Sequence, residues 1–338
     1  MTPPAATGPL IDGFGRVHTD LRISITDRCN FRCTYCMPTE GMQWLPRPEL
    51  LTYEEIERIA RVAVTELGIT SIRITGGEPT VRSHLPVLVA KLARLGVDVA
   101  LTTNGATLAS QAADLAAAGL HRVNISLDTL QPDRFAAITR RDDLERVLAG
   151  VEAAVAAGLQ PVKLNAVIVR GVNDDEIEAL AAYGREVGAE VRFIEFMPLD
   201  GDGTWDVEAV VPAAEIVARL DAAFGLAPAE ARGHEPAARR RYADGRGAVG
   251  VIASVTDAFC DRCDRIRLTA EGRLRSCLFA LDEVDLRRVV RDDAADAAST
   301  DAAIAAAIRG AVADKWAGHH IAQPVFVRPS RSMSQIGG

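Results

Sequence analysis

Apolar residues recur along the chain in two rhythms, every second position in short segments and with a helical period in longer ones. The first rhythm predicts strands over residues 21–26, 71–75, 97–102, 122–127, 161–169 and 190–196. The second predicts helices between them over residues 53–67, 84–95, 107–118, 144–157 and 174–187. Strands that alternate with helices favour a parallel sheet of right-handed βα units. Six such units fall short of the eight strands of a complete barrel.

One face of nearly every predicted strand is polar, although parallel strands covered by helices on both sides are usually apolar throughout. Arg22, Arg73 and Lys163 lie on this polar face, and aliphatic residues such as Ile23 and Ile72 alternate with them. The pattern favours a partly open barrel with a polar lumen over a doubly wound sheet. Edge strands with one wet face are the alternative, but nearly every strand would then have to be exposed. Buried cations need counter-charges, so an anionic ligand is expected.

The pattern changes after about residue 199. A helix is predicted over residues 212–224, and residues 226–247 are rich in Ala, Pro, Gly and Arg, which is typical of a domain boundary. We therefore predict one domain over residues 15–225 and a second, α+β domain over residues 226–338, with an amphipathic helix at residues 299–316. The last nine residues, 330–338, are polar and end in Gly337-Gly338, and this composition predicts a frayed tail.

Composition limits the functional class. The 338 residues are 48% hydrophobic and 25% charged, with a net charge of −8, which disfavours binding along a nucleic-acid backbone. No apolar run is long enough to cross a membrane, and the first residues do not resemble a secretory signal. A cytoplasmic, reducing location is expected, where six cysteines are better explained as metal ligands than as disulfides.

The first group of cysteines, Cys29, Cys33 and Cys36, has the spacing C-x3-C-x2-C and directly follows the first predicted strand. A structural zinc site is closed by four protein ligands. By contrast, three thiolates can hold a 4Fe–4S cube and leave one iron open. A zinc site completed by a distant His or Cys, and three unrelated thiols, are the alternatives.

The second group, Cys260, Cys263 and Cys277, has the spacing C-x2-C-x13-C and also offers three ligands. No histidine stands at the spacing of a Cys3His zinc site. Arg265 and Arg267 follow at once, and strand alternation places both guanidinium groups on one side. Paired arginines suit phosphate oxygens, because each can donate two parallel hydrogen bonds. Two arginines on an exposed edge strand are the simpler alternative.

The first motif, with Tyr35 just before its last cysteine, resembles the signature of the radical S-adenosylmethionine (SAM) enzymes. Gly76-Gly77-Glu78-Pro79, after the second predicted strand, is similar to the GGEP motif of that superfamily. The resemblance implies that an open iron chelates SAM, and that an electron from the reduced cluster cleaves SAM to a 5′-deoxyadenosyl radical. It also implies that the GGEP backbone and its Glu hold the methionyl amino group.

The second trio, the adjacent R-x-R and the terminal Gly-Gly make the chain similar to the GTP 3′,8-cyclase family of molybdenum cofactor biosynthesis. That resemblance implies an α/β fold, a partial (β/α)6 TIM-like radical SAM barrel followed by an α+β domain with a second 4Fe–4S cluster. The implied reaction is a lyase conversion of GTP to (8S)-3′,8-cyclo-7,8-dihydroguanosine 5′-triphosphate. Implied SAM contacts are Tyr35, Gly76, Gly77, Glu78, Ser126 and Met197. Implied GTP contacts are Arg22, Arg73, Thr102, Lys163, Arg265 and Arg267. The implied catalytic residues are Cys29, Cys33, Cys36, Arg265 and Arg267.

The same resemblance implies partners and a role for the tail. It implies a reductant such as flavodoxin or ferredoxin, a downstream cyclic pyranopterin monophosphate synthase, and compatibility with a homodimer, but no nucleic acid or membrane. It also implies that the glycine tail reaches the active site, against the composition. Two other functions stay open at this point: another two-cluster radical SAM enzyme, such as a peptide modifier, and a non-catalytic iron–sulfur or zinc scaffold.

Overall fold

The computed structural model describes residues 8–321 and 323–337. Its centre is a single mixed sheet whose strands are β1 (Asp20–Ser24), β2 (Ser71–Thr75), β3 (Asp98–Thr103), β4 (Arg122–Ser126), β5 (Val162–Ile168), β6 (Glu190–Glu195), β7 (Ala238–Arg241), β8 (Ala248–Ile252), β9 (Arg265–Leu268), β10 (Arg273–Arg275) and β11 (Val284–Asp285). They lie in the order β11-β10-β9-β1-β2-β3-β4-β5-β6-β8-β7. The α/β class predicted from the sequence is thereby confirmed.

The six predicted strands are β1 to β6, and they run parallel in sequence order. The C-terminal part of the chain then continues the same sheet at both edges. Strand β9 pairs with β1 and β8 pairs with β6, both parallel, and β10 and β7 add antiparallel strands outside them. Pairing covers the backbone groups that a six-stranded open sheet would expose at its edges. The predicted division at residues 225 and 226 remains a prediction.

The helices are α1 (Tyr53–Leu67), α2 (Leu85–Ala93), α3 (Ala112–Ala117), α4 (Pro132–Thr139), α5 (Leu144–Ala156), α6 (Ile177–Val187), α7 (Ala213–Phe224), α8 (Leu286–Val290), α9 (Ala297–Ala313) and α10 (Met333–Ile336). Helix α1 has the bounds that the sequence predicts, because Thr52 and Glu55 form a reciprocal capping box and Gly68 ends the helix at φ 75°. Among the described residues, no helix combines the length and apolar character needed to cross a bilayer.

Four segments differ most from the predictions. Helix α3 is only the second half of predicted helix 107–118, because a separate turn of 3-10 helix at Leu108–Ser110 precedes it. Helix α4 is absent from the prediction, and β7 lies inside the predicted boundary 226–247. The tail is also ordered, contrary to its composition: Ser332 and Gln335 form a capping box on α10.

The aliphatic faces of the strands point away from the polar face, as the alternation predicts. Ile23, Ile72, Ile125 and Leu164 are buried in one continuous apolar core with α1, α2 and α5. The opposite face is polar and lines a cavity. Because β9 and β8, at opposite ends of the parallel run, both contribute to that cavity, the sheet curves around it.

Candidate functional site

The polar face of the curved sheet encloses a cavity of about 300 Å³. Its lining contains the predicted site residues Arg22, Cys29, Cys33, Tyr35, Cys36, Arg73, Gly76, Gly77, Glu78, Thr102, Ser126, Met197, Cys260, Cys263, Arg265, Arg267 and Cys277. Residues separated by more than 240 positions therefore lie around one space. Lys163 is the exception among the predicted residues: it is buried on β5 but does not line the cavity.

Helix α4 supports the first cysteine loop. The Phe31 and Phe135 rings meet edge to face with centroids 5.7 Å apart. The backbone N–H of Arg32 donates to the carbonyl oxygen of Thr139 at 2.9 Å, and that of Thr34 donates to Ile138 at 3.0 Å. The loop is thus fixed against a helix that lies about a hundred residues later in the sequence.

The three thiols of this loop are free and partly buried. Burial is the main reason that the pKa of Cys29 is raised to about 11, that of Cys36 to about 12 and that of Cys33 well above its usual value. Neighbouring cysteines add to the shifts of Cys33 and Cys36, and Glu78 adds to that of Cys29. Such mutually repelling thiolates suit a group that supplies positive charge. Within residues 8–321 and 323–337, no three His, Cys, Asp or Glu side chains are gathered closely enough to hold a single metal ion.

The Gly-Gly-Glu-Pro turn packs directly on the start of the cysteine loop. The N–H of Gly77 donates to Thr26 O at 2.7 Å, and the N–H of Glu78 donates to Arg28 O at 2.8 Å. A Cβ on Gly77 would lie 2.5 Å from the carbonyl oxygens of Asp27 and Arg28, so only glycine fits.

The Glu78 carboxylate is buried and accepts four hydrogen bonds, from the N–H and hydroxyl of Thr80, the Thr103 hydroxyl and the N–H of Asn104, at 2.6 to 3.0 Å. Burial nevertheless raises its pKa. Glu78 therefore holds the loop after β3 in place, and Asn104 in turn donates to Asn30 Oδ1 at 2.8 Å and to Cys29 Sγ at 3.8 Å.

Tyr35 and Asp128 form a second buried link between the cysteine loop and the sheet. The Tyr35 hydroxyl donates to Asp128 Oδ2 at 2.5 Å, and the Val167 N–H donates to Asp128 Oδ1 at 2.8 Å. Burial raises the pKa of Asp128 to about 6 and that of Tyr35 well above its usual value. Asp128 is not among the site residues predicted from the sequence.

The second trio has a cationic environment. Cys260 lies in a 3-10 turn, Cys263 ends that turn, and Cys277 follows β10. Although burial alone would raise the pKa of Cys263, Arg265 and Lys315 lower it to about 7. Lys315 Nζ lies 3.5 Å from Cys263 Sγ.

A wall of arginines joins the two trios. Arg267, Arg22 and Arg73 are direct register neighbours on β9, β1 and β2. Like charges that face each other across strands destabilise a sheet. Burial, and then the neighbouring arginines, lower the pKa of Arg73 to about 9 and that of Arg267 well below its usual range.

Few acids compensate this charge. Asp20 is the ion-pair partner of Arg22, with 3.9 Å between the carboxylate and Nε. Nε of Arg22 and Nε of Arg73 are buried and have no hydrogen-bond partner within the described residues. Buried unpaired donors of this kind are costly unless a ligand accepts from them. The wall is therefore suited to a polyanion.

Arg192 extends the wall and was missed from the sequence. It is buried on β6, beside Asn165 of β5, and its Nε donates to Glu190 at 2.8 Å. Its position two residues after Glu190 on an alternating strand was the available signal. Lys163 pairs in register with Glu190 and Asn124, and burial lowers its pKa to about 8.

The C-terminal tail lies inside the cavity. Arg267 donates to the carbonyl oxygen of Gly337, and Met333 and Ser334 contribute to the lining. Arg331 anchors the tail through an ion pair to Glu283 at 2.6 Å. Gly338 lies outside the described residues.

Family models match most of the chain. The model of the Radical SAM superfamily matches residues 23–183, and that of Molybdenum Cofactor Synthesis C matches residues 189–321. Similar relatives carry the name GTP 3′,8-cyclase. One from Mycobacterium sp. strain KMS is 52% identical, over 100% of this chain and 97% of its own length. One from Streptomyces coelicolor is also 52% identical, over 97% of this chain and 96% of its own length.

Among solved structures, the chain is similar to Streptococcus suis SuiB bound to S-adenosylmethionine, with a TM-score of 0.60 and 17% identity. The match covers 82% of this chain and 65% of SuiB, so this chain spans just under two thirds of that protein. At this identity the likeness concerns the fold, and it supports the radical SAM architecture.

Proposed function

Because this chain belongs to the GTP 3′,8-cyclase family of the radical SAM superfamily, we propose that it converts GTP to (8S)-3′,8-cyclo-7,8-dihydroguanosine 5′-triphosphate. This is a lyase reaction on the way to the molybdenum cofactor. The observation that carries the proposal is the in-register wall of Arg267, Arg22 and Arg73 between the two cysteine trios. Such a wall needs an anionic substrate, which a peptide modifier or a non-catalytic scaffold would not require.

The superfamily implies SAM and a 4Fe–4S cluster. In our proposal Cys29, Cys33 and Cys36 hold that cluster, and Cys260, Cys263 and Cys277 hold a second one. When bound, the N-terminal cluster and SAM would supply a primary carbon radical able to abstract hydrogen from a C–H bond. The free, partly buried thiols and their N–H donors, such as Phe31 N at 3.3 Å from Cys29 Sγ, fit such a cube.

The residues around the first trio would bind SAM. Gly76 and Gly77 let this turn pack directly against the cysteine loop at the edge of the cavity, where a side chain would collide with that loop. Tyr35, Ser126 and Met197 complete the lining there. Because the Glu78 carboxylate already accepts four hydrogen bonds, its role is to fix this turn and it has limited capacity left for the SAM amino group.

The arginine wall would bind the triphosphate of GTP. Arg22 and Arg73 offer unpaired Nε–H donors, Arg265 and Arg267 lie next to the second trio, and Thr102 adds a hydroxyl on β3. Fixing the triphosphate at this wall would orient the ribose and the guanine for formation of the C3′–C8 bond. Lys163, behind the lining, would add positive potential without contact in this conformation.

Enclosure protects the reaction. The curved sheet, the cysteine loop and the tail surround the cavity, which excludes water and other C–H bonds from a reactive radical. Arg267 would exchange its bond to Gly337 O for a substrate oxygen, so that substrate entry and the position of the tail are linked.

We also propose the cellular setting that such an enzyme requires. An electron carrier such as flavodoxin or ferredoxin would reduce the first cluster, and cyclic pyranopterin monophosphate synthase would consume the product. A cytoplasmic location suits six free cysteines. A homodimer is compatible with this scheme.

Anaerobic incubation of the reconstituted protein with GTP, SAM and dithionite tests the proposal. We expect 5′-deoxyadenosine and a product of the same mass as GTP with a new C3′–C8 bond. Iron analysis should give about eight iron per chain, two cubes' worth. Formation of 5′-deoxyadenosine without any change in GTP would refute the substrate, and zinc in place of iron would refute the chemistry.

A further inference from the structure

A buried chain of charged side chains lies behind the second trio, on the side away from the cavity. Asp12, His18 and Lys315 are 6%, 0% and 3% exposed. Asp12 Oδ2 lies 3.0 Å from His18 Nε2, and His18 Nδ1 lies 3.3 Å from Lys315 Nζ. None of these residues lines the cavity, and the proposed reaction gives them no role.

The hydrogen-bond chemistry fixes the direction of this chain. A lysine ammonium only donates, so His18 Nδ1 must accept from Lys315, and the His18 proton must be on Nε2, where it is donated to Asp12. The ammonium also donates to the carbonyl oxygen of Arg265 at 2.7 Å and to Cys263 Sγ at 3.5 Å. All three N–H bonds of Lys315 are therefore used, and its charge is held against a ligand sulfur.

Arg16 also binds Asp12 and connects it to the second trio. Its Nε donates to Asp12 at 2.6 Å, and its terminal nitrogens donate to the carbonyl oxygens of Cys260 at 2.6 Å, Ala317 at 2.9 Å and Trp316 at 2.6 Å. Residues 12–18 and 315–317 are thus fastened to each other and to the second trio. Such a buried charged network persists only where its geometry is fully determined.

The first trio has no equivalent. Within the described residues, the hydrogen-bond donors to its sulfurs are neutral, namely the N–H of Phe31 and the side chain of Asn104. Arg32 lies near enough to lower the pKa of Cys29, but burial outweighs it and the pKa is raised. A fixed positive charge near a cluster stabilises the reduced form, which carries one more negative charge than the oxidised form.

We propose that Lys315 is a positioning residue that raises the reduction potential of the cluster held by the second trio, and that Asp12 and His18 hold its ammonium in place. The inference rests on the proposed function, because it requires a cluster on Cys260, Cys263 and Cys277. It assigns the two clusters different potentials, with the second the easier to reduce. Arg265 also lies beside Cys263, so removal of Lys315 lowers the positive potential without abolishing it.

The test is a redox titration of the full chain followed by electron paramagnetic resonance. The background carries Cys29→Ala, Cys33→Ala and Cys36→Ala, which leaves only the second cluster. Lys315→Met, of similar length and without charge, should lower the ratio of reduced to oxidised cluster about tenfold at a fixed potential, a shift of ~59 mV. Lys315→Arg, which keeps the charge, should keep the potential within half of that shift from the value with Lys315. Lys91→Met removes a surface lysine paired with Glu57 and should change nothing.

The outcomes separate the inference from its premise. If the background without Lys315 substitution binds no iron, the second cluster, and with it the proposed function of that trio, is wrong. If it binds about four iron and Lys315→Met leaves the potential unchanged, the role of Lys315 is wrong even if the melting temperature falls. Should Lys315→Met lose its iron, Lys315→Gln replaces it, because it keeps a donor and lacks the charge.

Discussion

The two cysteine trios have the same number of ligands but are built and surrounded differently. The first lies on one short loop, supported by α4, with neutral donors to its sulfurs. The second is assembled from a turn before β9 and a residue after β10, and Arg265 and Lys315 lie beside Cys263. Burial dominates the pKa of Cys36 and raises it to about 12, whereas neighbouring cations bring that of Cys263 to about 7.

This difference in electrostatics matches a division of labour. A cluster that must deliver an electron benefits from an environment that does not stabilise its reduced form. A cluster that faces an anionic substrate benefits from nearby cations. Equal ligand counts therefore do not imply equal functions, and the surrounding charges distinguish the two sites.

The largest expected effect comes from removing one ligand of either trio. Cys36→Ala should abolish SAM cleavage, because the first cluster is lost. Cys263→Ala should keep SAM cleavage and lose GTP cyclisation. Each variant should retain about four iron per chain. Iron analysis measures the clusters, and assays of 5′-deoxyadenosine and of the cyclised product measure the two activities. Equal loss of SAM cleavage in the two variants would contradict the division of labour.

The arginine wall gives the next largest effect. Arg73→Gln should weaken GTP binding about 10- to 100-fold, the value of a charge-assisted hydrogen bond of ~1.5–3 kcal/mol, while SAM binding is unchanged. The melting temperature of the substrate-free protein should not fall, because a like-charge neighbour of Arg22 is removed. Isothermal titration and thermal melting measure these effects. Arg94→Gln, on the surface, is the control, and unchanged GTP affinity in Arg73→Gln would exclude this role for the wall.

The tail connects both regions and gives a smaller effect. Gly337 has φ 70°, and a Cβ there would collide with Thr75 Oγ1 and approach Ser24. Gly337→Ala should displace the tail and reduce turnover at least ~10-fold, while iron content stays the same, since strain of this kind costs roughly 1–2 kcal/mol before the collision is added. Gly245→Ala has a similar φ of 75° with no neighbour within 4 Å and serves as the matched control. Equal turnover in the two variants would show that the tail position does not matter.

The smallest effect at neutral pH is on stability, and it concerns His18, which lies between Asp12 and Lys315 beside the second trio. Burial, and then the charge of Lys315, lower the pKa of His18 from 6.5 to about 4. A histidine whose pKa is lower in the folded state contributes stability above pH 6.5 that is lost as the pH falls towards 4. The loss should reach roughly 3 kcal/mol in the free energy of unfolding. Urea unfolding measured between pH 4 and 7 should show this loss of stability, and His18→Gln should make the free energy of unfolding depend less on pH. His121→Gln, at an exposed histidine, is the control and should leave the pH dependence unchanged. If His18→Gln also leaves it unchanged, His18 is not the cause.

Local signals in the sequence predicted local structure well. The bounds of α1 follow from Thr52, Glu55 and Gly68, which are all within the helix or next to it. Both cysteine trios were recognised from spacing, and the polar face of the strands was recognised from alternation. Helix α4 was missed because it has only eight residues, and its contacts lie on the cysteine loop instead of its sequence neighbours.

Contacts between distant segments were not predictable in the same way. The ordered tail was contrary to its polar composition, because partners far away in the sequence hold it: Glu283 pairs with Arg331, and Arg267 donates to Gly337. Lys163 has the expected alternation but sits behind the lining, since alternation gives a face and not a depth along the strand.

The sequence by itself determined which chemistry the chain carries: two incomplete sets of thiol ligands and a polar strand face rich in arginine. These depend on residue type and spacing alone. Only the tertiary structure decided that β9 pairs with β1, which places Arg267 beside Arg22, and that Lys315 reaches Cys263 from behind. The physical reason is that register and burial between distant segments are set by the packing and hydrogen bonding of the whole sheet, which no single stretch of sequence contains.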